Sequence, residues 1–204
     1  MTFRDLYKRL EASRYYVFSH EDMLSFYPGA RKDNLGRMLY RWKKEGWICS
    51  LKRGLYELTY PRDLAVPDMH IANKLYGPSY VSLETALSYY SIIPEVSMAV
   101  TSVTVKPTRR FKNKHGLFIY RTVKPEFFSG YYVERQGNFD ILIAEPEKAL
   151  VDFLYFKSGR GSKKVSLGDE RMDKRALARL NKKKLSSYGQ TCGLDLKKVG
   201  YAYL

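Results

Sequence analysis

Apolar positions in the first third of the chain recur at helical spacing. Phe3, Leu6, Tyr7 and Leu10 stand at i, i+3, i+4 and i+7 and form one face of an amphipathic helix. After the aromatic stretch Tyr15 to Phe18, Ser19 lies three residues ahead of Asp22 and just before Met23, Leu24 and Phe26, a capping signal that predicts a short second helix. Pro28-Gly29 ends it. From Arg31 the helical pattern resumes. Leu35, Met38, Leu39 and Trp42 form an apolar stripe, Asn34, Arg37, Arg41 and Lys44 fall on the other side, and Gly46 is placed to end the helix. Strand-forming residues on both sides of Lys52-Arg53-Gly54 then predict a hairpin from Trp47 to Leu58, with glycine supplying the backbone freedom of the tight turn.

Beyond residue 60 the pattern changes. Two prolines within Pro61 to Pro67 break regular structure, so this stretch is expected to link two domains. Asp68 is placed to cap a helix holding Ile71, Ala72 and Leu75, ended by Gly77-Pro78, and Ser82 to cap another holding Leu83, Ala86, Leu87 and Tyr90. Val100 to Val105, Leu117 to Tyr120 and Phe139 to Ala144 are predicted strands, the first two flanking a basic segment, Lys106 to His115. Pro146 opens a helix with Ala149, Leu150, Phe153 and Leu154 on its apolar side. After the loop-like Ser158-Gly-Arg-Gly-Ser162, a helical stretch follows Asp169 with only Leu177 and Leu180 among Lys174, Arg175, Arg179 and Lys182 to Lys184. The expected class is α+β, with one domain over residues 1–60, a linker over 61–67, and a mixed α/β domain over 68–204 that ends in a basic helical region.

Charge sharpens this outline. The 204 residues carry 36 Lys and Arg against 21 Asp and Glu, a formal net charge of +15, which favours a polyanionic partner, either nucleic acid or an acidic membrane surface. The excess is uneven: 12 basic and 7 acidic residues in 1–60, 7 and none in 106–124, 13 and 4 in 157–204, with net acidic stretches between them. The N-terminal order of helix, helix, turn, basic helix and hairpin is that of a winged helix-turn-helix, whose third helix fits the major groove of double-stranded DNA. Arg31, Lys32, Asn34 and Arg37 occupy the first two turns of that helix, where arginine can pair with guanine and asparagine with adenine. Arg41 and Lys44 are candidates for phosphate contacts, and Lys52 and Arg53 at the wing tip for phosphate or minor-groove contacts. Lys106, Arg109, Arg110, Lys112 and Lys114, interleaved with aromatic residues, form a candidate second nucleic-acid or partner surface. The plain alternative for each block is a solvated face, and winged helices also serve as protein-interaction modules.

Several motifs carry a resemblance. Arg53-Gly-Leu-Tyr56 at the end of the wing, Ser79-Tyr-Val-Ser-Leu-Glu-Thr-Ala-Leu87, Ile93-Pro-Glu95, Val103-Thr-Val-Lys106 and Ala144-Glu-Pro-Glu-Lys-Ala-Leu-Val-Asp152 resemble the AbiEi antitoxin family of abortive-infection, type IV toxin–antitoxin systems. The likeness spans roughly residues 1–158 and is weak beyond about 160. It implies an N-terminal winged helix-turn-helix that binds inverted repeats in the promoter of its own operon and represses it. It also implies a C-terminal antitoxin domain that neutralises a nucleotidyltransferase-like toxin, which a type IV antitoxin need not touch. A solitary winged-helix transcriptional regulator without a toxin and an RNA-binding protein are the alternatives.

Signs of catalysis are sparse. His20, His70 and His115 are isolated, and neither Cys49 nor Cys192 has a nucleophile setting, so no metal, cofactor or enzymatic activity is expected. The best enzymatic alternative is a nuclease using Asp140, Glu145, Glu147 and Lys148, but Pro146 stands two before Lys148, where an acid-x-lysine site needs its carboxylate. Both Ser82-Leu-Glu-Thr-Ala-Leu87 and Glu145-Pro-Glu-Lys-Ala-Leu150 have the apolar spacing of buried helices and are expected to be architectural. No stretch approaches the ~18 apolar residues of a membrane span. With two cysteines and no apolar run in Met1 to Leu6, the expected location is the cytoplasm.

Overall fold

The computed structural model describes residues 2–60, 65–94, 98–166, 169–199 and 201, and it is an α+β structure. The first unit runs α1 (Phe3–Ala12), β1 (Val17–Ser19), α2 (His20–Phe26), α3 (Lys32–Lys44), β2 (Ile48–Lys52) and β3 (Leu55–Leu58). Both early helices begin with reciprocal caps: Thr2 and Asp5 close one box, Ser19 and Asp22 the other, each satisfying two backbone amides that a helix start leaves unpaired. Gly46 follows α3 with φ of +75°, and the Gly46 and Trp47 amides bond back to the carbonyls of Lys43 and Trp42, a glycine-dependent helix stop. Leu6, Leu10, Phe18, Met23, Leu35, Leu39, Trp42, Ile48 and Leu58 make a core of their own.

One strand here escapes sequence periodicity. β1 has three residues and exists because Val17, Phe18 and Ser19 pair antiparallel with Glu57, Tyr56 and Leu55, so the sheet order is β1-β3-β2. Its partner lies some forty residues away, beyond any local signal.

The second unit runs α4 (Asp68–Leu75), β4 (Ser79–Val81), α5 (Leu83–Tyr89), β5 (Ala99–Thr104), β6 (Arg109–Asn113), β7 (Gly116–Thr122), β8 (Tyr131–Gln136), β9 (Phe139–Ala144), α6 (Pro146–Lys157), α7 (Lys174–Ala178) and α8 (Lys182–Thr191). Its six strands form one mixed sheet in the order β6-β7-β5-β4-β9-β8, with β5 parallel to β7 and β4 parallel to β9. The basic segment Lys106 to His115, expected only to separate two strands, supplies the edge strand β6. The basic helical stretch divides in two, because Asn181 caps α8 afresh through the amides of Lys183 and Lys184. Of the expected linker, residues 61–64 lie outside the described residues; Val66 is buried and Pro67 is the N-cap of α4.

Opposite faces of the sheet carry different helices. On one, the Tyr120 hydroxyl donates to the Ala72 carbonyl of α4 at 2.6 Å. On the other, Tyr80 and Ser82 donate to Asp152 of α6 at 3.0 and 2.8 Å, and Lys148, one helical turn away, is ion-paired to the same carboxylate. Lys148 and Asp152 are each 1% exposed. Such a pair is tolerated in the interior because both carboxylate oxygens have donors.

The two units are docked through the first unit's three-stranded sheet. Val17, Leu51 and Leu55 belong to the core of the second unit rather than to that of the first. Glu57, 3% exposed, meets His115 Nε2 at 2.7 Å and Lys114 at 2.9 Å, while His115 Nδ1 lies 2.9 Å from Asp68. A neutral imidazole has one donor and one acceptor, so two flanking carboxylates are satisfied only by the doubly protonated ring. The hydrogen bond to Glu57 therefore raises the His115 pKa, outweighing burial. Burial pushes the Glu57 carboxyl up, but the bonds from His115 and Lys114 outweigh it and hold the group below the usual range.

Two outcomes follow from these contacts. Stability from His115 is complete below its unfolded-state pKa near 6.5 and is lost as pH rises through its raised folded-state value. Between pH 6 and 8.5, urea unfolding of the native chain should lose about 1–2 kcal/mol more than that of His115→Gln. Asp152→Ala leaves Lys148 buried and unpaired and should cost about 3–5 kcal/mol in the same assay.

Candidate nucleic-acid interface

The third helix owes its orientation to its apolar stripe. Leu35, Leu39 and Trp42 are buried in the first unit's core, which turns Asp33, Arg37, Tyr40 and Lys44 outward, with Asn34 and Arg41 along one flank and Lys43 along the other. Arg31 is the N-cap and is exposed; the Lys32 side chain lies outside the described residues. The Arg37 guanidinium donates to Asn34 Oδ1 at 2.9 Å, so the two expected base-edge residues sit side by side on one turn. Among the described residues no carboxylate forms an ion pair with Arg37, Arg41, Lys43 or Lys44. Cations in the last turn of a helix also complement its dipole, which accounts for part of this enrichment without any ligand.

Tyr40 is a residue that charge counting misses. It is 72% exposed in the middle of the outward face, an unusual place for an aromatic ring. The sequence signal was its position, three residues after Arg37 and four before Lys44, on the polar side of the stripe.

The β2–β3 turn divides its two cations. Arg53 is exposed in the β2–β3 turn beside Gly54, whose φ is +80°. Lys52 is half-buried: its ammonium donates to the Leu75 carbonyl of α4 and lies 5.7 Å from the centre of the Phe111 ring. Burial, then repulsion from Lys106 and Arg109, lowers its pKa. That repulsion places the β2–β3 hairpin beside the second basic segment, although sequence spacing keeps them apart.

On that surface Lys106 and Arg109 lie over Tyr76 at 5.4 and 5.7 Å, and Arg109 also lies 6.0 Å from Phe111. Strand alternation directs Arg110 and Lys112 to the opposite face of β6, where both are exposed. Lys114 is engaged by Glu57 and serves the junction between the units. An edge strand gains from exposed cations in any case, because they discourage pairing with another chain.

The acids and lysine of the nuclease alternative each hold a different partner. Glu145 accepts from Lys184 and the Tyr188 hydroxyl, both at 2.9 Å, and Glu147 accepts from the Asn181 amide at 2.8 Å, so both fasten α8 to the start of α6. Asp140 pairs with Arg135, and Lys148 with Asp152. His70 faces the Asp140 carbonyl at 2.7 Å. Burial raises both thiols, Cys49 and Cys192, to about 11. Among the described residues no group of three or more His, Cys, Asp or Glu is placed to hold a metal ion, and no helix is long and apolar enough to cross a membrane.

The split between the wing cations gives a direct check. Lys52→Ala leaves the Leu75 carbonyl short of a donor and should lower stability by about 1 kcal/mol in urea unfolding. Arg53→Ala, at an exposed turn, should change it by less than about 0.5 kcal/mol.

A scan of the chain against protein-family models finds no match, and neither does a search of curated proteins.

Proposed function

We propose that the chain is a DNA-binding antitoxin and autorepressor of a type IV toxin–antitoxin operon, working in the cytoplasm without catalysis of its own. Its first unit acts as a winged helix-turn-helix. The outward face of α3, with Arg37 and Asn34 on one turn and Arg41, Lys43 and Lys44 beyond them, carries this reading. Inserted in a major groove, the first turns of α3 reach base edges and the last turn meets phosphates. Arg53 extends the contact to the flanking backbone, and Lys106 and Arg109 continue the same basic surface. Tyr40 adds an apolar surface suited to a thymine methyl or a sugar.

The antitoxin half of the proposal rests on the motif resemblance. Its signature residues Glu145, Glu147, Lys148 and Asp152 all serve packing, which fits a scaffold that presents a surface rather than an active site. Neutralisation of a nucleotidyltransferase-like toxin is assigned to residues 68–204 on that basis.

Binding to a duplex from the promoter of its own operon tests the proposal. With about six phosphates neutralised, log K should fall against log salt with a slope near −5; a flat response contradicts it. Arg37→Ala should lose about 1–3 kcal/mol of discrimination between promoter and unrelated duplex, whereas Lys44→Ala should weaken both alike. In cells, Arg37→Ala should derepress the promoter and still rescue growth from the toxin.

A further inference from the structure

The first unit carries a groove that the α3 face does not use. It lies between α1 and the start of β2, has a volume of about 800 Å³, and is floored by Phe3, Tyr7, Trp47 and Tyr60. That size is within the range of small-ligand sites, roughly 300–1,000 Å³. The rings brace one another: Phe3 lies 4.5 Å from Trp47 and 6.2 Å from Tyr60, and Tyr7 lies 5.7 Å from Tyr60. Tyr60 is 52% exposed, so the platform is open to solvent. Phe3, Tyr7 and Trp47 pack against the unit's core, Phe3 at 5.6 Å from the buried Trp42, whereas Tyr60 is not part of it.

The rim is basic. Arg4 and Lys8 stand one turn apart on α1, and Arg41 approaches from α3. The one acid lining the groove among the described residues, Glu11, accepts a hydrogen bond from the Tyr7 hydroxyl at 2.7 Å. Three cations above an aromatic floor select the occupant. An ammonium ligand, which such rings would otherwise attract, is repelled. A second copy seated symmetrically would bring the same three cations against these, and an uncharged apolar peptide would cover them without a counter-charge.

We propose that this groove binds unpaired nucleotides of a single-stranded nucleic acid, with bases stacked on Tyr60 and Trp47 and phosphates held by Arg4, Lys8 and Arg41. The chemistry is that of sequence-tolerant strand binders, a stacking platform bordered by backbone-neutralising charge. The site is separate from the duplex surface of α3 and shares with it only Arg41.

Intrinsic fluorescence tests this in the full chain, because Trp42 is fully buried and Trp47 lies in the groove. Titration with the octamer (dT)8 at low salt should quench Trp47 saturably. Tyr60→Ala should weaken (dT)8 binding roughly tenfold and Tyr60→Phe should restore it. Arg4→Glu should weaken it and flatten its salt dependence. The same Tyr60→Ala chain should bind duplex DNA as the native chain does, while Arg37→Ala should weaken duplex binding and leave (dT)8 binding unchanged. The proposal is overturned if Tyr60→Ala binds (dT)8 normally, or if Arg37→Ala weakens it equally, which would place the strand on α3. It is also overturned if dTMP binds as tightly as the octamer. Self-association of the chain that Tyr60→Ala abolishes would overturn it in favour of a second copy, and binding of an acidic peptide that displaces (dT)8 at lower concentration would overturn it in favour of a protein partner.

Discussion

A carboxylate taken out of water costs several kcal/mol unless cations and donors replace its hydration. Glu57 sits in that position on β3, the middle strand of the first unit's sheet. One donor, the Cys49 thiol at 3.2 Å, comes from the neighbouring strand, but the charged partners Lys114 and His115 come from the β6–β7 turn of the other unit. Separating the units would leave Glu57 buried or newly hydrated without its cations, so the β2–β3 hairpin is held against the mixed sheet. Asp68 extends the same constraint to the first residue of α4, at the point where the chain enters the second unit.

That constraint decides which of the many cations are available to a partner. Lys114 and Lys52 are committed to the junction, Lys148 to the buried Asp152 network, and Lys184 to Glu145. Lys157 pairs with Glu170. The outward face of α3, the wing-tip Arg53 and the Lys106–Arg109 corner have no such carboxylate among the described residues. Part of the net charge of +15 thus consists of internal counter-ions, and exposed cations lie on α3, at the hairpin turn, around Lys106 and Arg109, and on α7 and α8, where Lys174, Arg175, Lys182 and Lys183 are all exposed. Lys52 is the residue that changes class, from a wing-tip phosphate candidate to a tie between a hairpin and a helix end.

Local physics was legible in the sequence and long-range physics was not. The Ser19–Asp22 box, the stripe from Leu35 to Trp42 and the helix stop at Gly46 depend on residues within a few positions of one another, and each stands where the pattern puts it. β1, β4 and β8 escaped because a three-residue strand, or one open to solvent, shows too little alternation to be seen without its partner. β6 was masked by its own charge: Arg109, Arg110 and Lys112 look like a loop until Phe111 is seen facing Phe118 across the ladder. At the candidate site, basic residues were found by counting, while Tyr40 and Tyr60 were passed over because an aromatic residue is presumed to be inside. The partner of Lys114 lies 57 positions away and could not be inferred from spacing.

The second unit docks against one part of the first and leaves the rest alone. Val17, Leu51 and Leu55 pack into the second unit's core, whereas the buried residues of α3, Leu35, Leu39 and Trp42, belong to the first unit's core. The face of α3 can therefore change without disturbing the sheet that follows, and the sheet can be perturbed without reshaping α3. α1 shares this independence, since Leu6 and Leu10 lie in the same separate core. Coupling between the units passes through the three-stranded sheet, where the charged contacts of Glu57 meet the apolar contacts of Leu51, Leu55 and Val17, and through Tyr16, whose ring lies 5.6 Å from Phe139. A ligand on α3 or in the α1 groove that is to influence the second unit must shift that sheet or the segment before β1, because among the described residues no buried side chain of α1 or α3 belongs to the other core.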